Sequence, residues 1–357
     1  MKQIITSLVL LTSVFVNATI RTVSNSPSTL AQFSTIQAAV NACNSGDTIY
    51  VHGSPNTYAG FTITNKQLVI IGPGWAPNKV LPFQAIVAGF TITGASSSNT
   101  EIQGLYITST ILIQSNHPDN LRFIRNQFSG IYLYVNEGAV TYIGYLFEGN
   151  VFDNAQVQAA TNSTYQNFLF QNNYFHEYGC CVDGNIAYFA NSVNVLFNHN
   201  IWYGPSSGTR NCFAVNCRFL SLTNNIFVRR DAANQNSFST FNNNITFNAG
   251  VNNPWASNSN VDAGGNVANQ DPQMVDQTSV NNGVDNPLLN FTIAAGPANN
   301  SGSDAKDMGL LYDPVGSLNW TTSRTSRLPY IYSMNIVNPT IAAGGTLTVQ
   351  VEARKNN

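Results

Sequence analysis

The sequence predicts an all-β fold: a right-handed parallel β-helix, in which short strands wind as a solenoid around one continuous core. Three observations predict it. A short motif recurs at near-constant spacing, apolar residues alternate with period 2 around it, and the composition is rich in aromatics but poor in charge.

The motif is aromatic-x-x-Asn-x-aromatic. It reads Phe123-x-x-Asn126-x-Phe128, and returns around Asn150 (Phe147, Phe152), Asn173 (Phe170, Phe175) and Asn200 (Phe197, Trp202). Leu222, Asn225 and Phe227 continue it, and a weaker copy joins Phe241 and Asn244 to Thr246. By subtraction the asparagines lie 24, 23, 27, 25 and 19 residues apart, close to the roughly 20–50 residue periods of repeat architectures. Two residues before each first aromatic stands another apolar residue: Leu121, Tyr145, Phe168, Val195, Leu220. That alternation is a strand with one face inward. The Asn ends the strand at a corner whose left-handed backbone it tolerates. Stacking such units about 4.8 Å apart pairs equivalent strands in parallel. It also aligns the corner amides, each able to donate to one neighbour and accept from the other. Propeller blades are longer and carry a Trp-Asp signature, and a leucine-rich horseshoe needs Leu where Phe stands here.

The remaining elements follow in order. Lys2, the apolar run Ile4 to Val16 and the sequence Val16-Asn17-Ala18 read as a secretory signal over residues 1–18. The run is short for a bilayer span, and no Cys lies near Ala18 to carry a lipid. A secreted or cell-surface location follows as an expectation, with no membrane segment after cleavage. Thr35 to Cys43 places Ile36, Ala39, Val40 and Cys43 on one helical face, a lid for the first coil. Early strands are expected at Thr48 to His52, Leu68 to Ile71, Phe90 to Thr93 and Leu105 to Ile113. Residues 19–312 are assigned to the solenoid. Residues 313–357 are assigned to a C-terminal cap or small β unit, from the alternating runs Ile331 to Val337 and Thr346 to Val351 around Gly344-Gly345.

Charged residues make up 9% of the chain and the formal net charge is −2. With no basic stripe, nucleic acid is not an expected partner. Cys43, Cys180, Cys181, Cys212 and Cys217 are an odd set, so at least one thiol stays unpaired. Cys212 and Cys217 read as small buried apolar residues, with one disulfide left open. The Asn-x-Ser/Thr sites at Asn162, Asn244, Asn290, Asn299 and Asn319 matter only in a glycosylating host.

The opening TIQAAVNACNSGDTIYVHGSPNTY (Thr35 to Tyr58) and the stretch from Asp271 to Leu311 resemble the first and closing coils of the parallel β-helix superfamily typified by pectate lyases. The resemblance implies the fold, and leaves lyase, glycoside hydrolase, epimerase and non-catalytic members all open. The hydrolases' adjacent Asp pair and Gly-His-Gly are absent. No Lys lies between Lys79 and Lys306, and the central acids Glu137, Glu148, Asp153, Glu177 and Asp183 are scattered singly. No cofactor is therefore expected, and calcium is left open without support from the residues.

One constellation remains. The third residue after successive corner asparagines is Ser129, Asp153, His176 and Tyr203, and Glu177, Arg229 and Arg230 stand beside that row. Stacked, Asp153, His176, Glu177, Tyr203, Arg229 and Arg230 would form one outward patch. Arg would neutralise an acidic sugar and His176 or Tyr203 would move a proton, while Trp202 or Tyr178 would stack on a ring. The bland alternative pairs Glu177 and Asp231 with the two arginines as ordinary surface ion pairs. The leading expectation is a secreted protein that holds an extracellular polysaccharide along its side face. The alternatives are a lyase acting on a uronate polymer through His176, Tyr203 and Arg229, and a purely structural stalk or spike.

Overall fold

The computed structural model describes residues 18–75, 83–114, 116–176, 184–204, 210–284, 286–312, 318, 320, 330–337 and 344–354. The proposed signal therefore lies outside the described residues except for Ala18, as do Glu177, Tyr178, Cys180, Cys181 and Asp183.

The chain is an all-β parallel solenoid. Each full coil contributes one strand to each of three long sheets. The first sheet has 11 strands and begins at Ile20–Val23, and the second and third have 8 and 7. Every pairing within them is parallel, and the register matches the motif: Phe123 pairs with Phe147, Phe147 with Phe170, and Phe170 with Phe197. Inside, equivalent rings stack, with centroids 4.5 Å apart for Phe147 and Phe170 and again for Phe170 and Phe197. A mean of about 4.8 Å between strands brings like rings into offset contact, each pair adding to the area term.

The asparagine ladder runs along the corner between the first and second sheets. The Nδ2 of Asn126, Asn150, Asn173, Asn200, Asn225 and Asn244 each donates to the Oδ1 of the Asn one coil later, ending at Asn266. The same oxygens accept the backbone N–H of the preceding ladder residue, for example Asn126 N to Asn150 Oδ1 at 2.9 Å. Each Nδ2 also reaches a carbonyl of the preceding coil, such as Phe147 O from Asn173. One detail differs from expectation. The left-handed residue is the one before the ladder Asn: Arg125, Gly149, Asn172, His199, Asn224 and Asn243 all have positive φ. The ladder Asn is there for its amide, not for its backbone freedom.

The cap helix is Ile36–Ala42, with the Thr35 side chain accepting from Ala38 N, and Ile36, Ala39 and Val40 closing the first coil. Cys43, Cys212 and Cys217 are buried. Early strands fall at Thr48–Val51, Val69–Ile71, Phe90–Thr93, Tyr106–Ile107 and Ile111–Gln114, the last two dividing one expected strand at a corner. At the far end Trp255 packs on Phe241 at 5.4 Å and covers the core. Tyr330–Ile336 and Val349–Arg354 pair antiparallel as a two-stranded sheet, as the alternating runs predict.

The stretch from Asp271 to Leu311 corrects an expectation. It is not a closing coil but a strap that folds back over the outer face of the second sheet. Asn243 Nδ2 donates to Ser301 O, Asn224 Oδ1 accepts from Ser303 N, and Asn172 Oδ1 accepts from Leu311 N, so the strap retraces successive coils in reverse. Under it, Met274, Val280, Phe291, Ile293, Met308 and Leu310 pack on Val151, Tyr174, Ile201, Ile226 and Ile245, a second core outside the first.

Candidate functional site

The row Ser129, Asp153, His176, Tyr203 exists in the predicted register. Ser129 Oγ donates to Asp153 Oδ2 at 2.8 Å, and His176 Nδ1 lies 3.3 Å from Asp153 Oδ1. Burial opposes ionisation of Asp153, but hydrogen bonds from His176 and Ser129 outweigh it and hold the carboxyl below the usual carboxylate range.

The row is not the open patch that the sequence predicts: its His176 and Tyr203 end is buried, Tyr203 under the strap. His176 is 2% exposed and Tyr203 0%. Tyr203 Oη donates to Val284 O at 2.9 Å, and Arg229 Nη2 donates to Val280 O and Asn281 O at 2.9 and 2.8 Å. Those carbonyls end the short strap helix Gln277–Asn281, where a cation is favoured. Arg230 is fully buried and donates to Asn185 Oδ1 and Asn211 O. Asp231 accepts from Ala233 N and Asn234 N, closing a turn. Trp202 faces the interior, stacked between Phe175 and Phe227 at 4.5 and 5.1 Å. It occupies the inward aromatic position of the motif, which is why it cannot meet a ligand. Of the predicted residues within the described set, only Asp153 keeps appreciable exposure, 29% of its side chain.

An accessible face lies on the third sheet, and its residues are not among those that the sequence analysis singles out. Phe61–Thr64, Phe90–Thr93, Ile111–Gln114, Tyr132–Tyr134 and Gln156–Gln158 stack there in order. Phe61, Ile63, Phe90, Ile92, Ile111, Ile113 and Leu133 point inward. By alternation Thr62, Thr64, Thr91, Thr93, Leu112, Gln114, Tyr132, Tyr134 and Gln158 point outward. The signal that finds this face is the exact hexapeptide repeat Ala-Gly-Phe-Thr-Ile-Thr at Ala59–Thr64 and Ala88–Thr93.

Two glycines shape the floor. A Cβ on Gly89 would sit 1.8 Å from Thr110 O, and one on Gly60 would sit 2.7 Å from Gly89 O. Only hydrogen fits, so the backbone lies bare between neighbouring coils. The result is a concavity of about 380 Å³ lined by Gln37, Gly60, Thr62, Gly89, Thr91 and Thr110. At one end stands the cap helix, whose Gln37 amide accepts from Thr62 N at 2.7 Å and so pairs the first strand's free edge. At the other end stand Tyr132 and Tyr134, half-buried, their rings 5.5 Å apart and 19° from parallel. Tyr132 follows Thr110 and Tyr134 follows Leu112 in the register. The concavity spans two coil steps, from Gly60 to Thr110, and the tyrosines stand on the next coil, so the face from Thr62 to Tyr134 measures about 14 Å. The described strands of this face carry no charged side chain.

The fold and this face define a class: a parallel β-solenoid with one outer face sealed by its own chain and another open, uncharged and aromatic at its rim. No known family model and no curated relative matches the chain. Among the described residues no helix is long and apolar enough to cross a membrane.

Proposed function

We propose that the protein is a secreted or cell-surface binder of extended, uncharged polysaccharide, and that the trough on the third sheet holds a segment of two or three sugar rings. The observation that carries this reading is the trough itself: hydroxyls, amides and bare backbone along the floor, two tyrosines at the end, and no charge. Threonine hydroxyls both donate and accept, as sugar hydroxyls require. The electron-rich faces of Tyr132 and Tyr134 suit the polarised C–H face of a pyranose. A uronate would find no cation along the described strands of this face. Tyr203 and Arg229 bond to strap carbonyls and His176 is 2% exposed, so the lyase alternative gains no reachable base from them.

The test is affinity electrophoresis of the mature protein in gels holding neutral β-glucans, mannans or xylans. The expected result is retardation by one neutral class, weakened at least tenfold in a Tyr132→Ala/Tyr134→Ala variant. Equal retardation of the variant, or none of the parent protein in any gel, would overturn the reading.

A further inference from the structure

A different corner, between the third and first sheets, departs from its own pattern. One residue per coil there takes a left-handed backbone: Asn120, Gly144, Asn167, Asn194, Phe219, Phe238 and Ser259. The strand registers stack these residues directly, since Val195 pairs with Leu220 and Ser221 with Thr240. Asn, Gly and Ser suit such a position. Phe does not, because a bulky side chain in this region crowds its own carbonyl. Yet Phe219 and Phe238 have φ of 57° and 55°.

Burial does not offset that strain. The two residues are 51% and 49% exposed, and their rings stack on each other at 5.7 Å on the surface. Arg218 lies beside them, exposed, with its guanidinium 5.9 Å from the Phe238 ring centre. Among the described residues no carboxylate lies within ion-pair distance of Arg218. Val193, one coil earlier, adds an exposed apolar flank. Strain retained without internal benefit clusters at binding sites, and the guanidinium over the Phe238 ring is a cation–π contact that leaves its donors open to an anion.

We propose that Phe219, Phe238 and Arg218 form a second ligand site, specific for a sugar ring that bears an anionic group. The ring's C–H face lies on the phenylalanines, and its carboxylate or sulfate meets the guanidinium. This site is independent of the third-sheet trough in position and in ligand charge.

The deciding variant is Phe219→Asn/Phe238→Asn, which restores the residue type of the neighbouring coils. The full chain is run in gels containing polygalacturonate, dextran sulfate or neutral dextran, and its melting temperature is measured. The parent protein is expected to be retarded by polygalacturonate or dextran sulfate, less so in added salt, and not by neutral dextran. Whichever gel retards it identifies carboxylate or sulfate. The double variant and Arg218→Gln are expected to lose at least tenfold in retardation, with the double variant melting at the same or a higher temperature. No retardation of the parent in either anionic gel, unchanged retardation of the variants, or a lower melting temperature of the double variant would overturn the proposal. These gels leave the trough's neutral-glycan test unaffected, so either site can fail alone.

Discussion

The outer faces of the second and third sheets rise from the same coils but meet different fates. On the second, Ile201-Trp202-Tyr203 and Ile226-Phe227-Val228 are buried on both sides, by the core within and the strap without. On the third, Phe61–Thr64 alternates buried and exposed. A strand covered on both faces becomes continuously apolar, and a strand with one wet face keeps its alternation. The difference teaches which of these two faces a ligand can reach: the one where the period of two survives.

The largest expected effect comes from breaking the sealed side. Phe291 is 1% exposed and packs on Tyr174 at 5.1 Å. Phe291→Ala should cost about 3–5 kcal/mol in denaturant unfolding, as truncation of a buried aromatic does. Next is the ladder corner, where the first sheet meets the second. Asn173→Ala removes the acceptor of Asn150 N and Asn150 Nδ2, both buried. It should cost about 2–4 kcal/mol, the desolvation of donors left unmatched.

A smaller effect should appear with pH, again on the sealed side. His199 is buried and clasps the strap, with Nδ1 3.2 Å from Gly309 O and Nε2 3.1 Å from Asp304 Oδ2. Burial holds its imidazole below the ordinary histidine range, although Asp304 pulls the other way. The unfolded chain thus takes up a proton that the fold resists, and stability falls as pH drops through about 6.5. Asp304 is held below the usual carboxylate range: partial burial opposes its ionisation, but the charge of His199 and a hydrogen bond from Lys306 N outweigh this. Its contribution is complete above about pH 4 and is lost at lower pH, as the folded carboxylate takes up its proton. Melting curves should therefore show two acid steps. His199→Gln should abolish the upper step, about 2–4 °C, and Asp304→Asn the lower. The smallest stability effect belongs to the open face. Tyr132→Ala should change unfolding free energy by less than about 1 kcal/mol, so any loss of glycan binding there is a loss of contact and not of fold.

Much of this fold was legible. The aromatic frame around Asn126 to Asn244 marks the coils, and the alternation marks their inner face. Asn266 escaped because the aromatic frame is missing around it: Gly264 and Gly265 precede it and Val267 follows. The strap escaped for a related reason. Met274, Val280, Phe291, Ile293, Met308 and Leu310 sustain neither a period of two nor one of 3.6, and alternate only in the short pairs Phe291/Ile293 and Met308/Leu310. The expected patch was right in register and wrong in exposure, because register follows from repeat counting while cover depends on a distant segment. Its cue was present all the same: Gln127-Phe128-Ser129 alternates where Ile201-Trp202-Tyr203 does not.

The ladder also has a direction. Each amide's oxygen serves the corner before it, so the Asn150 N–H and Nδ2 are complete only when the coil carrying Asn173 arrives. A chain emerging from the ribosome amino end first lays down every coil as an unfinished template that the next one completes. Growth by such a rule needs a terminator, and the chain supplies one. Asn266 Nδ2 donates to Asp262 Oδ1 of its own coil at 2.7 Å. That carboxylate takes the place of a further amide and stops the stack from recruiting another.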